Sequence, residues 1–475
     1  MSAFPVAPAA RAAARRSLTE AEPRVFWTSR PDRPPVREPL AEPNRPCDLA
    51  VVGAGYTGLW AAIQAKEEDP GLDVVVLDRG RVGDGASGRN GGFVSPSLTH
   101  GLHQGVSTWP EEIPALERMA AENAAGLRES LDRYGIEADF HLPGEITMSL
   151  SEHQDAAVRD AYDLHRRHGG DVTFLSREEA YARVRSPLYR CGVLDRGVGL
   201  VDPARLAWGL AAAAESLGVT IHEMSAVTGF EDGGGGAGAV VVRTDAGSLL
   251  ARRVVLGTGA WPVLNRTRLF VLPVYDHVLM SEPLSSAQLA EIGWEGREGL
   301  ADAGNQFHYY RRTLDDRVLF GGYDANYHFP GRIDPALEQS PSHTLLAEHF
   351  FSIFPQLEGV RFTHRWGGVI DTTSRFTPMF GTALRGSVAY AVGYTGLGVA
   401  STRWGARVAL DLAFGRDTER TRLAMVRRKP VPFPPEPVRS LGVRLTRASL
   451  AREDATGRRN LWLRGLDRLG IGFDS

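Results

Sequence analysis

Three glycines near the start of the chain have the spacing that binds the pyrophosphate of a dinucleotide. Gly53, Gly55 and Gly58 follow a short apolar run at residues 49–52 and open into a segment rich in Ala and Leu. A strand, a glycine turn and a helix in this order bring backbone N–H groups close to a pyrophosphate. The next apolar run ends in Asp78, at the distance along the chain where a carboxylate bonds a ribose hydroxyl. We therefore predict a dinucleotide site, rather than a strand-turn-helix unit without a ligand.

Three other glycine-rich segments have the composition of ligand-binding turns. The loop at residues 83–93 is too rich in glycine for a helix or a strand interior, and its Ser, Arg and Asn side chains supply donors and one charge. Residues 253–261 repeat the arrangement of a buried strand that runs into a glycine turn. Residues 393–398 open a predicted helix at 399–414, whose N-terminal N–H groups carry partial positive charge. Glycine turns and helix N-termini of this kind let backbone N–H groups approach a ligand closely.

The composition excludes several classes of protein. The 54 basic and 57 acidic residues give a net charge of −3, which favours neither nucleic acid nor an acidic membrane surface as a partner. No apolar run is long enough to cross a bilayer, and two cysteines argue against a disulfide framework. Lys66 and Lys429 are the only lysines, in positions that exclude Schiff-base chemistry. We expect a cytoplasmic protein without a metal site.

Alternation of apolar and polar residues marks a second structural unit. Residues 274–280 and 317–322 alternate in this way, which predicts an antiparallel sheet with one face open to a ligand. The strand at 307–311 is placed nearest the substrate. The fold class predicted is α/β, with a Rossmann-like cofactor domain and a second α+β domain built on the antiparallel sheet.

The domain boundaries follow from these segments. We predict an N-terminal arm, a discontinuous cofactor domain, a substrate domain and a Pro- and Arg-rich tail that lies across the surface. They cover, respectively, residues 1–45; residues 46–110, 190–268 and 363–425; residues 111–189 and 269–362; and residues 426–475.

The glycine spacing, followed by Gly-Ala-Ser-Gly-Arg-Asn-Gly-Gly at residues 85–92, resembles a known superfamily. This superfamily comprises the FAD-dependent D-amino-acid, glycine and sarcosine oxidases, and within it the chain most resembles the gamma-glutamylputrescine oxidase branch. The resemblance implies FAD, held without a covalent bond because neither cysteine is at the family's attachment position. The residues that it assigns to the cofactor are Gly53, Gly55, Tyr56, Thr57, Gly58, Asp78, Arg79, Gly85, Ala86, Ser87, Arg89, Asn90, Gly91, Gly92, Thr258, Gly259, Trp261, Gly393, Thr395, Gly396, Leu397 and Gly398.

The substrate is expected to be an amine. In this superfamily a neutral amine loses hydride to flavin N5 and the imine is hydrolysed. The amino-acid oxidases hold a carboxylate with an arginine where this chain has Ile370. Unless Arg375 or Arg311 replaces it, a polyamine or a gamma-glutamylated amine fits better than an α-amino acid.

The resemblance also bears on the electron acceptor. The lysine that promotes reaction with O2 in sarcosine oxidases has no counterpart here, so Arg311 or His277 takes its role or an acceptor other than O2 is used. The predicted catalytic residues are Tyr310, Arg311 and His277. The predicted function is oxidation of a small amine, with O2 reoxidising the flavin and forming H2O2.

Alternatives stay open at this point. One is an amine or amino-acid dehydrogenase or demethylase that uses another acceptor. Others are a nicotinamide-dependent dehydrogenase and an FAD-binding chain without activity. The identity of the amine and the oligomeric state do not follow from the sequence.

Overall fold

Two large sheets, a small two-stranded sheet and the helices around them make up the described part of the chain. The computed structural model describes residues 4–233 and 238–472. The strands are β1 (Arg45–Val52), β2 (Val74–Leu77), β3 (Phe93–Val94), β4 (Glu145–Ser149), β5 (Val172–Leu175), β6 (Cys191–Asp195), β7 (Gly199–Leu200), β8 (Thr220–His222), β9 (Val227–Asp232), β10 (Val240–Thr244), β11 (Ser248–Leu256), β12 (Leu272–Ser281), β13 (Gly299–Asp302), β14 (His308–Arg312), β15 (Val318–Gly322), β16 (Phe362–Thr372), β17 (Met379–Ala383) and β18 (Val388–Val392). The helices are α1 (Pro8–Ser17), α2 (Tyr56–Glu68), α3 (Gly101–Thr108), α4 (Ile113–Arg133), α5 (Glu152–Arg167), α6 (Arg177–Arg183), α7 (Pro203–Ser216), α8 (Ser286–Ile292), α9 (Ser342–Ile353), α10 (Gly398–Ala413), α11 (Glu419–Arg422), α12 (Ala424–Arg427), α13 (Val438–Thr456) and α14 (Leu461–Arg468).

The first sheet is the Rossmann-like one. Its strand order is β17-β18-β11-β1-β2-β8, and β10 and β9 extend it from β11. β1, β2, β8, β11 and β18 pair in parallel, and all four residues of β2 are buried, as expected for a strand covered on both faces. The carboxyl ends of these parallel strands meet at one edge, which is where such sheets bind ligands.

The second sheet has the order β16-β12-β15-β14-β13-β4-β6-β5. Its pairings are antiparallel except that β4 and β13 run in parallel. Leu279, Tyr310 and Phe320 point to the face that packs against α9, while Val278 and Met280 point to the core of the first unit. The predicted fold class is confirmed. Because successive side chains of a strand point to opposite faces of the sheet, only every second residue of these strands can reach the site.

The units differ from the predicted boundaries in three places. β6 and β16 both belong to the second sheet by their pairing, although they were assigned to the cofactor domain. α4, assigned to the substrate domain, packs on α10 and adds Leu116 and Leu127 to the core of the first unit. Glycine turns mark where strands end, but the partner of a strand depends on hydrogen bonds to distant residues.

Both termini contact the second unit, and the N-terminal arm continues from it to the first. The arm forms α1 against α9, and Trp27 in the arm donates a hydrogen bond to the carbonyl of Asn90 (3.1 Å). The tail continues past its prolines into α13 and α14, where the prediction had only a surface segment. In the described ranges no helix is both long and apolar enough to span a bilayer.

Candidate active site

A cavity of about 2150 Å³ is lined by both sheets and by the tail helices. Pockets for one small molecule are commonly ~300–1000 Å³, so this cavity has room for a dinucleotide and a substrate together. One end is built from the glycine-rich segments of the first sheet. The other is built from β12, β14, β16 and α13.

The first glycine turn leaves no room for side chains. Gly53 has a φ of +104°, and a Cβ there would lie 2.5 Å from the carbonyl oxygen of Gly257. A Cβ on Gly58 would lie 1.8 Å from the carbonyl oxygen of Gly53. Gly55, the N-cap of α2, has no side chain that caps the helix. Apart from the Tyr56 N–H, which is donated to Ser87, the first N–H groups of α2 are therefore available to a phosphate.

The second glycine loop is fixed by its own side chains. The Ser87 hydroxyl accepts from the backbone N–H of Tyr56 (3.0 Å), and the Asn90 amide donates to the carbonyls of Ala86 and Ser87. Arg89 donates to Glu338 (2.6 Å) across the cavity. The loop therefore has one shape and is tied to the second unit.

A second helix begins at the cavity without a side-chain cap. Leu397 is the N-cap of α10, and the turn before it is held by Asp371, whose carboxylate accepts from the N–H of Gly393 (2.6 Å). Burial raises the pKa of Asp371 to about 6. Two helix N-termini thus open on one cavity, an arrangement that fits the negative charges of FAD.

The acid predicted to bind the ribose, Asp78, lies beside the first glycine turn. The Asp78 carboxylate accepts from the N–H groups of Ala54 (2.6 Å) and Gly80 (2.8 Å), and burial raises its pKa. Arg79 lies over Trp261, with 4.7 Å between the guanidinium carbon and the ring centre. These side chains line the cavity beside the turn.

Nearly all the predicted cofactor residues line the cavity. Those that do are Gly53, Gly55, Tyr56, Thr57, Asp78, Arg79, Gly85, Ala86, Ser87, Arg89, Asn90, Gly91, Gly92, Thr258, Gly259, Trp261, Thr395, Gly396, Leu397 and Gly398. Gly58 and Gly393 lie beneath the turns, where Gly58 faces the Gly53 carbonyl and Gly393 faces Thr373. Their part is to let the backbone pack closely.

An acid and a phenol meet on the wall formed by the second sheet. The Tyr309 hydroxyl donates to Asp276 Oδ2 (2.6 Å). The Tyr309 ring lies against the glycine loop, since a Cβ on Gly91 would be 2.8 Å from it. Asp276 stands opposite Gly368 in the β12–β16 pairing, so no side chain covers it from that strand. Burial raises the pKa of Asp276 to about 6.

Two of the predicted catalytic residues point away from this wall. The Tyr310 hydroxyl is hydrogen bonded to that of Tyr189 (2.8 Å) in the core on the α9 face. The His277 ring lies 5.1 Å from that of His343 in α9, and burial lowers its pKa to about 4. Neither lines the cavity, so the roles predicted for Tyr310 and His277 do not fit their positions. Successive residues of a strand face opposite sides, and the prediction chose the wrong side in both strands.

Arg311 shares the face of Tyr309 but lies behind the glycine loop. Its Nη1 donates to the carbonyl of Val201 (2.6 Å), and burial lowers its pKa to about 10. Arg375 donates to the carbonyls of Pro378 and Met425. Neither arginine reaches the wall where Ile370 stands, so neither replaces the carboxylate-binding arginine of the amino-acid oxidases.

Asp276 and the tail were missed as site residues. The signal for Asp276 was present, because alternation places it on the face of Val274 and Val278. For the tail, the helical spacing of Val443, Thr446 and Leu450 was the signal, and these residues line the cavity. The run of prolines before them had suggested a segment without regular structure.

Comparison with protein families decides the class of cofactor. Residues 48–412 match the family described as FAD dependent oxidoreductase. The chain belongs to this family. FAD is therefore its cofactor, and the two uncapped helix N-termini and the glycine turns are the parts of the cavity that fit it. Neither cysteine lines that cavity.

Individual members of the family are similar over most of the chain. Gamma-glutamylputrescine oxidoreductase of Escherichia coli K12 is 32% identical over 382 residues, which cover 79% of this chain and 85% of the relative. Sarcosine oxidase subunit beta of Rhizobium meliloti is 25% identical and covers 73% of this chain and 79% of its own. Glycine oxidase of Geobacillus kaustophilus has the same fold, with a TM-score of 0.67, 21% identity, and coverage of 79% of this chain and 96% of its own. By its family, the chain is an FAD-dependent oxidoreductase.

Proposed function

We propose that this flavoenzyme oxidises the C–N bond of an amine of the polyamine or gamma-glutamylated type, and that O2 reoxidises the flavin and forms H2O2. The observation that carries the proposal is the side-chain chemistry of the wall. It presents the Asp276 carboxylate, which has no ion pair with Arg or Lys within the described ranges, and it presents Ile370 at the carboxylate-binding position. Such a wall favours an ammonium over a carboxylate.

The cofactor supplies the two-electron oxidation, and the chain binds the cofactor and positions the substrate. The uncapped starts of α2 and α10 would hold its phosphates and its ring system, and Asp78 its ribose. The first sheet is the cofactor domain in this proposal. The second sheet, with α13 and α14, forms the substrate domain and keeps water from the reacting carbon.

The similarity to gamma-glutamylputrescine oxidoreductase supports the amine class. Cavity size supports it as well, since about 2150 Å³ leaves space for an extended substrate beside the cofactor. Neither His277 nor Arg311, the residues predicted to promote reaction with O2, lines the cavity. A dehydrogenase with another acceptor is therefore the second candidate.

The test is an anaerobic titration of the purified holoenzyme, followed by the flavin absorbance. The panel holds putrescine, spermidine, gamma-glutamylputrescine, sarcosine and D-alanine. We expect the polyamine-type compounds to bleach the flavin at lower concentrations than the amino acids do. Bleaching by amino acids alone would refute the amine class, and a protein purified without FAD and unable to bind it would refute the whole proposal.

Admission of air then separates the two candidates for the acceptor. An oxidase recovers its absorbance within seconds and forms H2O2 in proportion to the flavin. A dehydrogenase recovers over many minutes, and an added artificial acceptor restores the colour at once.

A further inference from the structure

We infer that Asp276 takes the proton from the substrate ammonium before the C–N bond is oxidised, with the Tyr309 hydroxyl as its positioning partner. This inference rests on the proposed amine oxidation. An amine in water near neutral pH is mostly an ammonium ion, whose nitrogen has no electron pair to give. A group that removes the proton inside the cavity lets the common form of the substrate bind and react.

Geometry singles out Asp276. Its side chain lines the cavity on the face of β12 that looks toward the cofactor-binding half. One carboxylate oxygen accepts from Tyr309, whose ring rests against Gly91 in the glycine loop. The other oxygen accepts from the backbone N–H of His277 (2.8 Å). Both oxygens keep further lone pairs, so the carboxylate is oriented and can still accept a proton.

Titratable and charged groups surround Asp276 from several neighbouring elements. Tyr309 faces it from β14, and Asp324, which is ion-paired with Arg447 of α13, acts on it from the segment after β15. The ion pair of Arg89 with Glu338 lies beside β16, where Arg89 also donates to the carbonyl of Gly367 (3.0 Å). Because Arg89 is paired with Glu338, the Asp276 carboxylate stays available to pair with a cationic ligand. Burial, which raises the pKa of Asp276 to about 6, leaves it mostly ionised at neutral pH and able to accept a proton.

The step balances in atoms and charge. The N–H bond of the ammonium breaks and an O–H bond forms on Asp276, while the electron pair stays on nitrogen. When bound, FAD would accept the neighbouring C–H hydrogen as hydride, and the nitrogen lone pair would complete the C=N bond of an iminium ion, the protonated form of the imine. Asp276 returns its proton to water after the imine has been released.

The experiment measures the limiting rate of anaerobic flavin bleaching against pH, with saturating amine. In the wild-type enzyme the rate rises with a midpoint set by Asp276 and levels off near neutral pH. In Asp276→Asn only the scarce neutral amine reacts, so the rate at pH 7 falls at least tenfold and continues to rise by about tenfold per pH unit toward pH 9. Asp324→Asn is the matched control, and it keeps the plateau with a midpoint at slightly lower pH.

Two more readouts keep the test independent of activity and of the stability of one variant. Potentiometric titration of the resting holoenzymes between pH 4 and 8 should show one proton fewer taken up by Asp276→Asn, with FAD content unchanged. Tyr309→Phe removes the hydrogen bond that favours the ionised carboxylate, so the midpoint of its bleaching profile moves to higher pH.

Two results would overturn the assignment of this proton transfer to Asp276. An Asp276→Asn enzyme that keeps the wild-type plateau and midpoint would overturn it, as would a Tyr309→Phe profile without a shift. Both results leave amine oxidation intact. If no amine bleaches the wild-type flavin, the proposed function itself fails, and that outcome is seen before any variant is made.

Discussion

The two halves of the active site are built in different ways. In the cofactor-binding half, glycine turns and helix N-termini approach the ligand with backbone atoms, as at Gly53 and at the starts of α2 and α10. In the substrate half, Asp276 and Tyr309 approach it with side chains from strands that are joined only by sheet pairing. Backbone sites leave a pattern along the chain, whereas side-chain sites depend on which face each strand presents.

The largest effect is expected from a side chain added beneath the first turn. In Gly58→Ala the new methyl group would lie 1.8 Å from the Gly53 carbonyl oxygen, so α2 and β1 must separate. We expect loss of bound FAD and a destabilisation of ~1–3 kcal/mol. Flavin absorbance per protein and the apoprotein melting temperature measure both.

Gly229→Ala is the control for that variant, because a Cβ there meets nothing within 4 Å. It should retain FAD and melt as the wild type does. If Gly58→Ala binds FAD normally, the cofactor-binding half does not depend on close backbone packing.

Two adjacent tyrosines test the substrate half. Tyr309→Phe should lower the limiting rate of flavin reduction several-fold at neutral pH, because Asp276 loses its hydroxyl partner. Tyr310→Phe leaves Tyr189 without its partner, so it should lower stability by ~1–2 kcal/mol and leave the rate unchanged. Stopped-flow reduction and thermal melting distinguish the two outcomes, and equal effects on rate would contradict the assignment of faces.

Glu145, which lines the same cavity, allows a pH test whose readout is stability and not activity. Burial, with Asp195 nearby, raises its pKa to about 7, above its value in the unfolded chain. The proton held by the folded protein adds stability at low pH, and this stability is lost as pH rises through about 7. From pH 4 to 8 the wild type should therefore lose ~1–3 kcal/mol relative to Glu145→Gln. Melting temperatures across this range check the trend, with the exposed Glu178→Gln as the control.

The smallest effect concerns the tail. Asp454 in α13 accepts from the N–H groups of Asn305 (2.8 Å) and Gln306 (2.9 Å), and so holds the helix over the cavity. Asp454→Ala should raise the KM for the amine about fivefold, equivalent to ~1 kcal/mol, without changing the limiting rate. Arg452→Ala, exposed on the same helix, should change neither. An unchanged KM in Asp454→Ala would show that α13 is not part of the substrate wall.

Several features of this protein could be predicted from its sequence. The glycine spacing, the acid at Asp78 and the later turn at residues 393–398 each lie within a few residues of a strand or helix end, so local geometry determines them. The class of fold followed from the same segments, and the comparisons confirm it. Twenty of the predicted cofactor residues line the cavity, because the conformation of each turn fixes the positions of its own backbone atoms.

Tertiary structure decided the substrate wall. Tyr309 and Tyr310 are neighbours in sequence, yet one meets Asp276 and the other Tyr189, because β14 lies between a cavity and α9. Arg311 has the right face but lies behind the Gly91 loop, a contact between residues 220 apart in the chain. Tail helix α13 reaches the cavity through side-chain contacts with the loop after β13. Local sequence sets the conformation of a turn, but only the assembled sheets and helices decide which side chains face the ligand.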